Sequence, residues 1–164
     1  MAKRISSDWH IWVSLVFLVL SFVFLRTSLP SFLVLTLLVL VNLYTISFTF
    51  IAAVVSDGKS WFKGDAVNYL PTRVEGFVIF AFLLFAAAFL FADIYLTHTD
   101  GFKDPLQGEL DALYYSFMTI STMGVEGIAP QTSELKRWVM FEVITSLNFF
   151  LGAFALLVSR ITNF

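Results

Sequence analysis

Residues 116–130 read Ser116-Phe117-Met118-Thr119-Ile120-Ser121-Thr122-Met123-Gly124-Val125-Glu126-Gly127-Ile128-Ala129-Pro130, and they lie between the last two of four long apolar segments. A polar-tipped turn with glycines is costly in lipid. Its N–H and C=O groups go unsatisfied unless the turn is buried in protein or lines a water-filled cavity. A chain that holds such a turn at membrane depth uses those backbone groups, and their commonest use is to replace the hydration shell of an ion.

The rest of the composition agrees with a membrane setting. Of 164 residues, 59% are hydrophobic and only 13% charged, and the mean hydropathy is +0.85. A soluble domain carries about 25% charged residues. Net charge is −2, which leaves no basic footprint for nucleic acid. The absence of cysteine excludes disulfides and thiolate metal sites. Four segments approach the roughly 20 apolar residues that a membrane helix needs: 9–25, 29–55, 74–96 and 138–161. The first two are read as a tight helical hairpin, with Pro30 in the first turn of the second helix, where its missing N–H costs nothing.

Basic residues set orientation. With a cytoplasmic N-terminus the inside holds Lys3, Arg4, Lys59, Lys63, Arg73 and Arg160, and the outside holds Arg26, Lys103, Lys136 and Arg137. The bias favours both termini inside, so that the 116–130 turn enters from outside. The expected fold is therefore an all-α, multi-pass integral membrane protein of the cell membrane, with four transmembrane helices. A re-entrant loop is expected between the third and fourth. The hairpin covers 1–55, a cytoplasmic linker 56–73 and a pore unit 74–164.

The turn resembles the pore loop of the tetrameric potassium-channel superfamily, in which a short helix runs into Thr-Val-Gly-Tyr-Gly-Asp and a proline follows. Thr122, Gly124 and Pro130 match at the family spacing, and Ala112-Leu113-Tyr114-Tyr115-Ser116-Phe117-Met118-Thr119 is similar to its pore helix. The resemblance implies an outer helix at 74–97, a pore helix at 108–121, a filter at 122–127 and an inner helix at 136–162. It also implies a homotetramer, since one filter strand cannot surround an ion. Thr122, Met123, Gly124, Val125, Glu126 and Gly127 would bind the ion, with Thr122 and Glu126 as the metal-contacting side chains. Tyr114, Tyr115 and Phe117 would form an aromatic cuff.

The outer half of the filter departs from the family. Its second glycine position, which needs positive φ, is Glu126, and its bracing aromatic is Val125. A loop one residue longer would instead make Gly127 the second glycine, and both registers stay open. Four Glu126 carboxylates would form an acidic ring attractive to divalent cations. The leading expectation is a weakly selective cation channel for K⁺ and Na⁺, with Ca²⁺ permeating or blocking. A K⁺-selective channel and a non-conducting structural or regulatory membrane protein are the alternatives. The bound species would be the permeant cations, the partners the bilayer and three further copies, and no cofactor is expected.

Along the last helix Thr145, Asn148 and Gly152 share one face. They would line the pore cavity or, alternatively, pack against neighbouring helices. Glu142, one turn into that helix, is expected to hydrogen-bond the pore helix from behind. Asp93 and Glu75 are expected to snorkel or pair at the ends of the third span. No arginine ladder of a voltage sensor is present, and no ligand-binding domain is expected after the inner helix. No nucleophile–base pair or phosphate-binding loop stands out, so the chain does not read as an enzyme.

Overall fold

The computed structural model describes the backbone of residues 2–27, 31–56, 73–125 and 127–161, and the side chains of 9–25, 32–47, 75–125 and 127–154. The linker and Glu126 lie outside the described residues. Five α-helices follow one another: α1 (Ala2–Thr27), α2 (Ser31–Ser56), α3 (Arg73–Thr97), α4 (Glu109–Ile120) and α5 (Ser133–Ile161), with a one-turn 3₁₀ helix at Thr99–Gly101. There is no strand among the described residues. Only the stretch 75–97 of α3 is, among them, long and apolar enough to cross a bilayer by itself; Trp9–Leu25 and Phe32–Ser47 are shorter apolar helices.

Two boundaries have visible local causes. The α5 helix starts five residues before the apolar run at Trp138 because Thr132 caps it. The Leu135 N–H donates to Thr132 Oγ1 at 3.2 Å, and Lys136 N–H to Thr132 O at 3.0 Å. The α4 helix opens with Glu109 and Asp111 in its first turn, and Asp111 Oδ2 accepts the Gln107 N–H at 3.0 Å. Carboxylates there offset the positive end of the helix dipole.

The centre of the molecule is α3. From Ile79 to Tyr95 its buried residues occur on every side of the helix, including Leu83, Ala86, Ala87, Ala88, Phe91 and Tyr95. The α1 helix lies chiefly along α3, and α2 chiefly along α5. Small residues permit close approach: Ser14 and Ser21 are buried on α1, their hydroxyls returned to the helix's own carbonyls. Phe22 and Phe89, both toward the C-terminal ends of their helices, meet edge-to-face at 5.7 Å. The first two helices also meet at His10 Nδ1 and Tyr44 Oη, 2.7 Å apart, with Phe17 on the same tyrosine ring. They are consecutive and antiparallel, but each packs more on the later helices than on the other.

Asp93 differs from its expected interfacial position. It is 2% exposed and has no hydrogen-bond or ion-pair partner among the described residues. Burying a carboxyl group without a partner is costly. Asp93→Asn is therefore expected to raise the thermal midpoint of the detergent-solubilised protein, by the equivalent of about 1 kcal/mol. A fall on thermal unfolding would show instead that the carboxyl is neutralised from outside the described residues.

Candidate functional site

The end of α4 and the turn after it are built on one carbonyl. Ser121 is the last αR residue (φ −74°, ψ −1°) and Thr122 turns left-handed at φ 59°. Thr122 N–H then donates to Thr119 O at 2.9 Å, and Met123 N–H to Met118 O at 3.0 Å. This pair of bonds is the left-handed C-cap that terminates many helices, usually on glycine. A threonine there costs roughly 1–2 kcal/mol. Gly124 N–H and Ser121 Oγ also donate to Met118 O, at 3.2 and 3.0 Å.

Positive φ recurs at Gly124 (67°) and Gly127 (93°), with Met123 between Thr122 and Gly124 on the ordinary side. The N–H groups of Thr122, Met123 and Gly124 all turn back onto the end of α4, so the carbonyls of the same trans peptide units face away from it. Thr122, Met123, Gly124 and Gly127 are exposed, Met123 at 75%. Val125 and Ile128 pack against the core from the loop's other side. Gly127 has the positive φ that the longer register asks of it. Glu126 lies outside the described residues, so its distances to Lys136 and Arg137 are not part of this geometry.

Behind the loop, the segment after α3 is stitched to the segment before α5. Lys103 N–H donates to Ala129 O at 2.9 Å and Gln131 N–H to Gly101 O at 2.8 Å, flanking a bridge between Phe102 and Pro130. Gly101 is needed for this approach. A Cβ there would sit 3.0 Å from Thr132 Oγ1, the α5 cap, and 3.3 Å from Leu135 Cδ2. His98 adds a tie between the same ends, its Nε2 3.4 Å from Glu134 Oε1.

Deeper, Glu142 of α5 is 0% exposed. Tyr95 Oη of α3 donates to its Oε2 at 2.5 Å, and Ser116 Oγ of α4 donates to its Oε1. Around this point Tyr95, Phe102 and Tyr115 meet edge-to-face, with centroids 4.9–5.8 Å apart. Of the expected cuff only Tyr115 joins this cluster. Phe117 packs on Phe85 at 5.4 Å, and Tyr114 is exposed. Tyr95 and Phe102 were not singled out in the sequence, because nothing local marks an aromatic in a Phe-rich chain as a cluster member.

The polar positions of α5 face inward. Thr145 is 1% exposed, Gly152 is buried and Asn148 half-buried, and Thr145 Oγ1 and Asn148 Nδ2 have no hydrogen-bond partner among the described residues. Such burial within one chain favours the packing alternative for Thr145 and Gly152. The exposed side of the helix carries Met140, Ile144, Leu147, Leu151 and Phe154, at alternating spacings of four and three that keep them on one stripe.

The sequence profile of a family described as "Ion channel" matches residues 77–163, from α3 through the loop to α5, just over half of the chain. The chain belongs to this ion-channel family. The matched part is a potassium-channel-like pore unit, and the family implies a membrane setting. A protein of Methanothermus fervidus, described as an "Uncharacterized protein", is 30% identical to this chain over 95 residues. These are 56% of this chain and 14% of that relative, so the chain spans only a small part of the relative's length. No solved structure gives a significant match.

Gly101→Ala is expected to disturb both the Thr132 cap and the stitching behind the loop. The expected loss is about 1–3 kcal/mol, seen as a lower thermal midpoint. An unchanged midpoint would mean that Thr132 yields freely and that the stitching is not rigid.

Proposed function

We propose that the chain forms a passive, weakly selective cation pore from four copies around a central axis. Four spans would cross the membrane with both termini in the cytoplasm. The loop 122–127 would enter from the outside as the filter, with Thr122 contributing its hydroxyl as well as its carbonyl. The observation that carries this reading is the positive φ at Thr122 and Gly124 on either side of an ordinary Met123. With the N–H groups of Thr122, Met123 and Gly124 turned back onto the end of α4, the carbonyls of the same peptide units would face the other way, where they could replace an ion's water shell.

The four α4 helices would point their C-terminal ends, which carry partial negative charge, at the site below the filter. Glu126 from each copy would ring the outer mouth and concentrate K⁺, Na⁺ and Ca²⁺. On α5 the apolar stripe from Met140 to Phe154 would face neighbouring copies and the cavity, with Asn148 at its margin and Thr145 and Gly152 packing inside each subunit.

A K⁺-selective pore is the second reading. It is favoured by the positive φ of Gly127, which supplies a second glycine position one residue later than in the family.

Purified protein in liposomes, assayed under separate K⁺, Na⁺ and Ca²⁺ gradients, tests both. Flux of K⁺ and Na⁺ with block or entry of Ca²⁺ is expected. Glu126→Gln should weaken the apparent divalent affinity about tenfold or more, equivalent to about 1.4 kcal/mol. Flux of K⁺ alone would select the second reading. Unchanged divalent sensitivity in Glu126→Gln would exclude the carboxylate ring, and a monomeric, non-conducting protein would exclude the pore.

A further inference from the structure

Glu142 has no place among the loop residues that would touch an ion, yet it is the most buried charged side chain near them. Its surroundings are specific. Each carboxylate oxygen receives one hydroxyl, Ser116 from α4 and Tyr95 from α3. The carboxylate thereby joins the three helices that surround the loop. Ser116 lies two residues before Met118, whose carbonyl holds the Met123 and Gly124 N–H groups. The two residues share a turn of a continuous helix, so α4 transmits any displacement of Ser116 to Met118 and from there to Met123 and Gly124.

We propose that Glu142 is a positioning residue for ion selectivity: by anchoring Ser116 it fixes the depth of α4 and the spacing of the carbonyls in the loop. This deepens the pore reading above and rests on it. Selectivity by backbone carbonyls depends on how many face the ion and how firmly they are held. The cap at Thr122 sets the direction of the first carbonyls, and the anchor on Glu142 sets where that cap sits. Tyr95 secures the other carboxylate oxygen, but it belongs to α3 and has no chain connection to the loop through α4.

This difference between the two hydroxyls gives a readout that a merely structural role would not move. Ser116→Ala and Tyr95→Phe each delete one hydrogen bond to the same carboxylate, and both are expected to lower the thermal midpoint. Only Ser116→Ala releases α4. It should shift the K⁺/Na⁺ permeability ratio by about fivefold or more, the lower end of typical coupling between sites, while Tyr95→Phe should leave the ratio near that of the unaltered protein. Glu142→Gln keeps the shape and can remake both bonds, one oxygen accepting a hydroxyl and the amide N–H donating to the other. It should retain the ratio, and Glu142→Ala should lose it.

The measurement is the reversal potential of reconstituted channels under a K⁺/Na⁺ bi-ionic gradient, on variants that keep the assembly size of the unaltered protein. Equal ratios in Ser116→Ala and the unaltered protein overturn the inference, even if Glu142→Ala fails to assemble. Equal shifts in Ser116→Ala and Tyr95→Phe also overturn it, because they would follow stability alone. An unaltered protein that passes no ion overturns the pore reading itself, and this inference with it.

Discussion

A carboxyl group with no access to water has to have its oxygens occupied, because a buried polar group left without a partner costs several kcal/mol. In this chain that requirement falls on Glu142, and it is met by hydroxyls from two other helices. The arrangement constrains more than the three residues. Tyr95 can donate to Glu142 only if its ring stands beside Tyr115, with centroids 5.0 Å apart. Tyr115 in turn packs on Phe102, whose neighbours on both sides are stitched to residues 129–131. The two hydroxyl contacts thus tie α3 and α4 to α5, the α4 tie running through Ser116, and the aromatic ring contacts fill the space around them. An apolar side chain at 142 could fill the same volume, but it would not select one rotation of α4 over another.

The loop stands at the end of this chain of constraints. Thr122 occupies a backbone region that side chains with branched Cβ rarely enter, and such a conformation persists only when its surroundings over-determine it. Here the surroundings are explicit: three donors converge on the Met118 carbonyl, and the half-buried Val125 and Ile128 pack against the core. The loop is therefore tethered on the side away from its exposed face. A backbone that presents carbonyls to an ion needs this asymmetry, since the oxygens must be free while the chain that carries them is not.

Much of this was legible in the sequence, for reasons that differ from residue to residue. The long helices on either side were read from their apolar runs, whereas the short helix at 108–121 came only with the resemblance to the potassium-channel pore loop; α4 spans Glu109–Ile120. Glu142 was marked by its chemistry, the one acidic residue of the apolar run 138–161. Its partners were not, because Tyr95 and Ser116 come close to it only through tertiary packing across 47 and 26 residues of chain. The early start of α5 carried a signal in Thr132-Ser133-Glu134, a capping residue ahead of an acidic first turn, which the apolar run at Trp138 overshadowed. The inward turn of Thr145 and Gly152 was undecidable from periodicity, since a helical face can meet water or another helix with the same spacing. Burial of Asp93 ran against the general behaviour of charged residues near helix ends.

The first two helices, which begin before the matched family segment, bear on how such a unit can assemble. Because α1 lies along α3 and α2 along α5, two of the surfaces that the three pore-unit helices would otherwise expose are already covered. Among the described residues of α5, Met140, Ile144, Leu147, Leu151 and Phe154 form an exposed apolar stripe opposite Glu142, Thr145 and Phe149. The same helix thus places its buried polar anchor on one side and its unpartnered apolar residues on the other. In the proposed tetramer that division matters mechanically. A shift of α5 against neighbouring copies would be felt at Glu142 on its opposite face, and so at Ser116 and the loop. Lining of the pathway and support of the filter would then be two faces of one rigid helix, coupled by its rotation.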